Sequence, residues 1–298
     1  LPWLDMGKVR VSYGTNGNRS LKDTYLSLSN LTNQGSMVYY NNGNADIVKT
    51  LAMSRLGNPN LEWEKTSAWN LGLDFAVLNQ RLSGSIDLYF KKTNNMIMAQ
   101  RLPNYTGFSS ITTNLGEVHN SGIEFTLNSV NIKNKDFEWT TSAGFSYNKN
   151  TIKHLYYDYD ANGVERDDTS NGWFIGHPVG EIWYWETDGI WQKNEAAQAA
   201  LVNQKPGDPK VVNHCTDDDK ILADGTRVPV YNDKDKVFLG TTNPPIYWNM
   251  RNEFTLWKDF TFSFSLYSYM GHKSLEGYYL NQDNGGSMIT NAFNVFKK

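Results

Sequence analysis

Six stretches of this chain alternate apolar and polar residues with period two, and in none does a charge enter the apolar phase. They carry Trp69, Leu71, Leu73 and Phe75; Leu82, Gly84, Ile86, Leu88 and Phe90; Ile123, Phe125 and Leu127; Phe137, Trp139, Thr141, Ala143, Phe145 and Tyr147; Trp248, Met250, Asn252, Phe254 and Leu256; and Phe260, Phe262, Phe264 and Leu266. Strand side chains point alternately to opposite faces, so each segment is apolar on one side and carries Asp, Glu, Arg, Lys, Asn, Ser or Thr on the other. A wall between hydrocarbon and water needs strands of this kind.

A soluble β-sandwich also hides one face of each strand, so length and connections must discriminate. Sandwich strands run to about five or six residues, whereas tilted bilayer-spanning strands need about nine to eleven. Residues 81–91 and 137–148 reach the longer figure. Connections at 79–80, 131–135 and 258–259 are short, and those at 13–66, 92–116 and 149–245 are long. Short turns on one rim and long loops on the other are the arrangement of outer-membrane barrels.

With a shorter alternating strand carrying Val9, Val11 and Tyr13, strands 8–13, 81–91, 137–148 and 260–270 run outward and 67–77, 117–129 and 246–257 run back. An open edge in lipid leaves backbone amides unpaired at several kcal/mol each, so other strands must complete the sheet. The expected fold class is therefore all-β: residues 1–298 form part of a transmembrane antiparallel β-barrel, about seven strands of a larger one, with long extracellular loops. Residues 149–245 are expected to be one such loop with structure of its own. Within it, 179–185 and 189–192 read as short strands, 194–203 as a helical turn or two, and 217–235 as acidic and turn-rich.

Mean hydropathy is −0.56 and no run of eighteen apolar residues occurs, which excludes a membrane helix but not barrel strands, half of whose residues are polar. Aromatics make up 14% of the chain, and Trp69, Tyr89, Phe137, Trp139, Tyr147, Trp248, Trp257 and Tyr267 fall near strand ends. They read either as interfacial girdles or as core rings. A net charge of −3 with no basic stripe argues against nucleic acid as a partner. The one cysteine, Cys215, has no second thiol for a disulfide or a zinc knuckle. The chain opens at Leu1-Pro2-Trp3 without a leader and stops at Phe296-Lys297-Lys298 in an apparent loop, so it reads as a segment of a longer protein.

Several strings together resemble SusC/RagA-type TonB-linked outer-membrane transporters. They are Gly57-Asn58-Pro59-Asn60-Leu61-Glu62-Trp63-Glu64-Lys65-Thr66 running into Asn70-Leu71-Gly72-Leu73-Asp74; Asn114-Leu115-Gly116-Glu117-Val118-His119-Asn120-Ser121-Gly122-Ile123-Glu124; Gly176-His177-Pro178-Val179-Gly180 followed by Asp188-Gly189-Ile190-Trp191-Gln192; and Pro206-Gly207-Asp208. Most of these residues are turn formers, and they shape loops without needing to touch cargo. The resemblance implies a barrel of about 22 strands with a plug, of which this chain supplies seven near the C-terminal end. It further implies a SusD-like surface lipoprotein as partner, TonB acting through parts absent here, outer-membrane lipid around the wall, and active import of oligosaccharides or peptides.

Candidate contacts with substrate or lid are Trp173, Trp183, Tyr184, Trp185 and Trp191, with Glu181 and Asp188 nearby, because sugars stack on rings and need directional polar partners. The same rings could equally form the loop's own small core. Asp217, Asp219, Asp224, Asp233 and Asp235 are the candidate ligands should the acidic stretch take calcium, although the ligand spacing of an EF-type loop is not reproduced. The alternative is a solvated acidic loop, and no other cofactor is expected. No nucleophile elbow, Walker loop, dinucleotide fingerprint or zinc-spaced His pair occurs, so the chain is not expected to be an enzyme. Two other readings stay open at this point: a TonB-dependent receptor for metal chelates, and a soluble glycan-binding β-sandwich.

Overall fold

The computed structural model describes residues 3–18, 25–41 and 44–274. The two chain ends at Leu1-Pro2 and Phe296–Lys298 lie outside the described residues. In chain order, β1 spans Leu4–Asn18, β2 Asn30–Asn41, β3 Asn44–Arg55, β4 Glu64–Val77, β5 Leu82–Arg101, β6 Ser110–Lys133 and β7 Phe137–His154. Short elements follow: β8 Glu181–Trp185, β9 Thr187–Ile190, helix α1 Ala196–Leu201, β10 Pro209–Val211, β11 Lys220–Ile221, β12 Arg227–Val228 and β13 Lys236–Thr241. Two long strands close the list, β14 Ile246–Leu256 and β15 Phe260–Met270. No helix among the described residues is long and apolar enough to cross a membrane.

Strands β1-β4-β5-β6-β7-β14-β15 form one seven-stranded antiparallel sheet in that order, the meander expected from turn parity. Its register keeps like with like. Val9, Leu73, Ile86, Phe125, Phe145 and Trp248 are successive partners on one rung. The next rung carries Arg10, Gly72, Asp87, Glu124, Ser146, Tyr247 and Tyr269. Opposed residues share a face, so the sheet has one apolar and one polar side across all seven strands. The apolar side stays accessible: Val9 is 68% exposed, Trp69 55% and Phe262 60%. No second layer covers it among the described residues, which overturns the soluble two-layer sandwich.

The short turns use left-handed backbone in non-glycine residues. Leu78, Asn79 and Gln80 have φ of 58°, 54° and 61°, and Trp257 and Lys258 have 49° and 69°. The Asp5 carboxylate accepts the Gln80 N–H at 2.8 Å and helps hold the first of these.

Two long connections differ from expectation. Residues 92–116, expected as loop, continue β5 and β6 as a hairpin that stays in register to Arg101 and Ser110. At Asn95 and Gly116, both left-handed at φ 55° and 79°, the ladder is interrupted, which is why the alternation fades there. The stretch 13–66 contains the hairpin β2–β3, a sheet of its own.

The quoted sequence strings act as clips. Asn114 donates to the carbonyls of Glu62 (2.8 Å) and Asn95 (2.9 Å) and accepts from Glu62 N–H at 2.6 Å. Asn58 donates to the Thr112 carbonyl at 3.1 Å. Ile152 exchanges backbone bonds with Gly176 and His177, and Trp191 does so with Gly207 and Asp208. In the buried cluster of Met98, Val118, Ile152 and Leu155, with Trp173 and Ile175 packed against it, Met98 and Ile152 lie where β5 and β7 run beyond the expected 81–91 and 137–148.

The chain divides into two compact units, one comprising Leu1–Glu181 with Pro244–Gly271, the other built on Ile182–Asn243. In the second, β8 pairs with β13, β9 with β10 and β11 with β12.

Candidate functional site

The polar side of the large sheet carries a fixed pattern of charge. The Arg10 guanidinium donates to Asp74 through Nε (2.9 Å) and Nη2 (2.8 Å), and to Asp87 through Nη2 (3.0 Å). It lies flat over Gly72, where an added Cβ would stand 2.6 Å from the guanidinium carbon. The Tyr89 hydroxyl likewise crosses Gly122 to donate to Asn148 Oδ1 at 2.9 Å. Tyr247 and Tyr269 face each other with ring centroids 4.8 Å apart, and Tyr267 stands 6.3 Å from Tyr269. Toward the short turns, a hollow of about 300 Å³ is lined by Ser83, Asn128, Thr140, Ser142, Arg251 and Glu253. Arg251 is held there by Glu253 at 2.9 Å and Ser263 at 3.1 Å. These groups present hydrogen bonds and paired charges on the polar side of the sheet. The sequence displays each residue, but the Arg10–Asp74–Asp87 triad only emerges once register is known, through the shared phase of Arg10, Gly72 and Asp87.

The predicted ring set is divided between units. Trp173 belongs to the first, exchanging backbone bonds with Asp168 at 2.9 Å. Asp168 is nearly buried and accepts from Tyr156 (2.6 Å), Ser170 (2.6 Å) and Asn171 (2.6 Å). Burial opposes its ionisation, but these donors outweigh that and hold its carboxyl down at about 2. Burial, reinforced by the same Asp168 contact, pushes the Tyr156 phenol up. Glu181 has its carboxylate 3.3 Å from His177 Nδ1.

In the second unit, Trp183 and Trp185 both carry the Lys236 ammonium, at 4.6 and 4.7 Å from their ring centroids. Trp185 Nε1 donates to the Asn232 carbonyl at 3.2 Å, and Tyr184 meets Trp185 edge-on at 4.9 Å. Trp191 is 8% exposed, donates to Gln204 at 2.6 Å and lies under Lys210 at 4.8 Å. Lys210 is held above the usual lysine range by its hydrogen bond to Glu195, with a smaller contribution from exposed Asp188. Trp191 is thus interior to its unit, whereas Trp183 and Trp185 are half-buried around Lys236.

The acidic residues are spread over separate turns. Asp235 is fully buried and accepts the backbone N–H groups of His214 (3.0 Å), Cys215 (2.9 Å) and Asn232 (2.9 Å). Asp219 accepts from Asn213 at 2.9 Å, and Asp224 from Thr226 N–H at 2.9 Å. Asp233 pairs with Lys236 at 2.8 Å, and Asp217 sits in the neighbouring turn. No group of three or more His, Cys, Asp or Glu side chains is placed to hold a metal ion among the described residues. The oxygens of Asp219, Asp224, Asp233 and Asp235 are engaged by N–H donors and a lysine.

Residues 1–199 match the family model described as "TonB dependent receptor-like, beta-barrel". The chain belongs to this family of β-barrel receptors. It is 34% identical over 198 residues to TonB-dependent receptor P39 of Formosa agariphila, covering 66% of this chain and 18% of the relative. It is 36% identical over 151 residues to TonB-dependent receptor SusC of Bacteroides thetaiotaomicron, covering 50% of this chain and 15% of SusC. Among solved structures, the RagAB peptide importer in its open-open state superposes with a TM-score of 0.70 at 26% identity, covering 91% of this chain and 27% of that one. The resemblance to SusC/RagA-type transporters is thereby borne out. The chain spans less than a third of the length of these relatives.

Proposed function

We propose that this chain is part of the wall of an outer-membrane, TonB-dependent importer of the SusC type, working with a SusD-like surface lipoprotein. The observation that carries this is the two-sidedness of the seven-stranded sheet: one side apolar and accessible, the other charged and hydrogen-bonded. Such a sheet is stable where hydrocarbon meets one side and water the other. The likeness to the RagAB peptide importer supports the import reading, and the likeness to TonB-dependent receptor SusC supports its dependence on TonB. In this reading the segment 149–245 is extracellular, energy comes from TonB through other parts of the protein, and the wall performs no covalent chemistry.

For cargo, we favour oligosaccharide over peptide. Tyr247, Tyr267 and Tyr269 gather on the water side, and the rung of Tyr247 and Tyr269 also carries Glu124, Asp87 and Arg10. Aromatic faces beside carboxylates suit sugar rings, whose C–H faces stack while their hydroxyls seek acceptors. The test is binding of a maltooligosaccharide and of a mixed oligopeptide to the full-length transporter with its partner. Replacing Tyr267 and Tyr269 by Ala is expected to weaken sugar binding several-fold and leave peptide binding unchanged. Peptide binding that falls instead would reverse the choice of cargo.

A further inference from the structure

The apolar side of the sheet ends differently at its two rims. Toward the long connections, the rung Tyr13, Trp69, Phe90, Ser121 and Lys149 ends the apolar band. The next rung of the same phase holds Thr15, Ser67, Lys92, His119 and Thr151, and the one beyond it Gly17, Lys65, Asn94, Glu117 and His154. Lys65 and Lys149 stand exposed. Lys92 pairs with Glu117 at 2.8 Å, the other oxygen of Glu117 lies 2.7 Å from His119 Nε2, and His119 meets the Phe90 ring edge-on at 5.2 Å. His154 is engaged by Glu165 at 2.8 Å. Lys92, His119 and His154 are thus engaged with Glu117 and Glu165, and the exposed Lys65 and Lys149 flank them and leave the rim with an excess of lysine over carboxylate.

Toward the short turns the same side carries Leu82, Phe137, Trp139, Leu256 and Phe260, with no charge in that phase of these strands. Its polar groups are neutral and satisfy one another. Ser129 donates to Asn131 (2.8 Å), Asn131 to Thr141 (2.7 Å), and Thr141 and Trp139 to Asn252 Oδ1 (2.7 and 3.0 Å).

We propose that the exposed Lys65 and Lys149, at either side of the Lys92–Glu117–His119 cluster, hold the phosphate groups of anionic lipid headgroups in the leaflet at the long-connection rim. The charge excess matches an anion, and the hydroxyls of Thr15, Ser67 and Thr151 add hydrogen-bond donors. The membrane side, from the rung of Tyr13, Trp69 and Phe90 to two rungs beyond it, is where a lipid presents its headgroup while its acyl chains lie on Val11, Leu71, Leu88 and Ile123. A free phosphate ion would have no reason to choose that side. The inference rests on the membrane placement proposed above.

The test uses the full-length transporter in detergent, with diphosphoryl lipid A, its dephosphorylated counterpart and inorganic phosphate as separate probes, read by native mass spectrometry. The diphosphoryl lipid is expected to be retained preferentially. Each of Lys65→Gln and Lys149→Gln is expected to weaken its retention about fivefold, the worth of one basic side chain beside an anionic leaflet. Lys8→Gln, on the water side, is expected to change nothing. Equal retention of both lipids, indifference to the two lysine variants, or the same lysine-dependent binding by inorganic phosphate alone would overturn the proposal. Heat-modifiable gel mobility checks folding, and should Lys65→Gln not fold, the exposed Lys149→Gln decides. A wild-type protein that folds only outside detergent refutes the membrane placement, whereas one that folds in detergent without headgroup preference refutes this inference alone.

Discussion

Aromatic side chains are handled in opposite ways in the two units. On the sheet, Phe262 and Phe264 remain 60% and 39% exposed and touch mainly other rings of the same side, such as Phe254 at 6.2 Å. In the 182–243 unit, Trp191 is 8% exposed, its N–H is taken by Gln204, and its face carries an ammonium group. The first arrangement is favourable only if the medium supplies the missing apolar contacts; the second brings its own polar partners. The same residue types therefore report which solvent each region was shaped for.

The sharpest way to break this contrast is to truncate one ring of each kind. Trp191→Ala is expected to destabilise its own unit by about 3–5 kcal/mol, as removal of a buried large ring does, and limited proteolysis of residues 182–243 checks it. Phe262→Ala should leave those cleavage sites untouched.

Arg placed at Leu73 or Phe264 should cost about 2–4 kcal/mol in folding of the full-length protein into bilayers, against about 0–1 for Arg at Ser263 on the other side. Equal costs, measured by denaturant titration in vesicles, would mean that the two sides face the same medium.

A third measurement sharpens the comparison through pH. Because the Asp168 carboxyl is held near 2, below its unfolded value, it contributes stability that is present above about pH 4 and lost as pH falls towards 2. Hydrogen exchange of residues 156–175 is expected to accelerate over that window, and Asp168→Asn should abolish the pH dependence. The smallest effect is expected for Lys236→Met, which removes the cation shared by Trp183 and Trp185 and should cost about 0.5–2 kcal/mol, read as a shift in the fluorescence-detected unfolding midpoint of those tryptophans.

Much of the sheet was legible because its constraint is local. A period of two can be read without knowing which strand neighbours which, and parity of the turns then ordered all seven strands. The β2–β3 hairpin escaped for the converse reason. Val38 and Ile47 lie on one of its sides and Met37 and Val48 on the other, all at least half exposed, so no alternation marks it. The extension of β5 and β6 was hidden by the left-handed Asn95 and Gly116, which look like a loop in sequence. For the candidate site, composition identified the tryptophans but not their orientation. Whether Trp191 meets cargo or Gln204 depends on a partner thirteen residues away whose approach no local pattern records. The Arg10 triad was invisible for the same reason, its members being 64 and 77 residues apart.

Gly72, Gly122 and Gly144 let Arg10, Tyr89 and Asn249 lie down against the backbone. An added Cβ would stand 2.6 Å from the Arg10 guanidinium carbon at Gly72 and 2.9 Å from the Asn249 amide nitrogen at Gly144, and so would displace a side chain, whereas at Gly122 it would collide with the Tyr147 carbonyl oxygen and disturb the strand itself. The relief of the polar side is thus set in part by positions that contribute no side chain at all, and at Gly72 and Gly144 alanine alone would alter it.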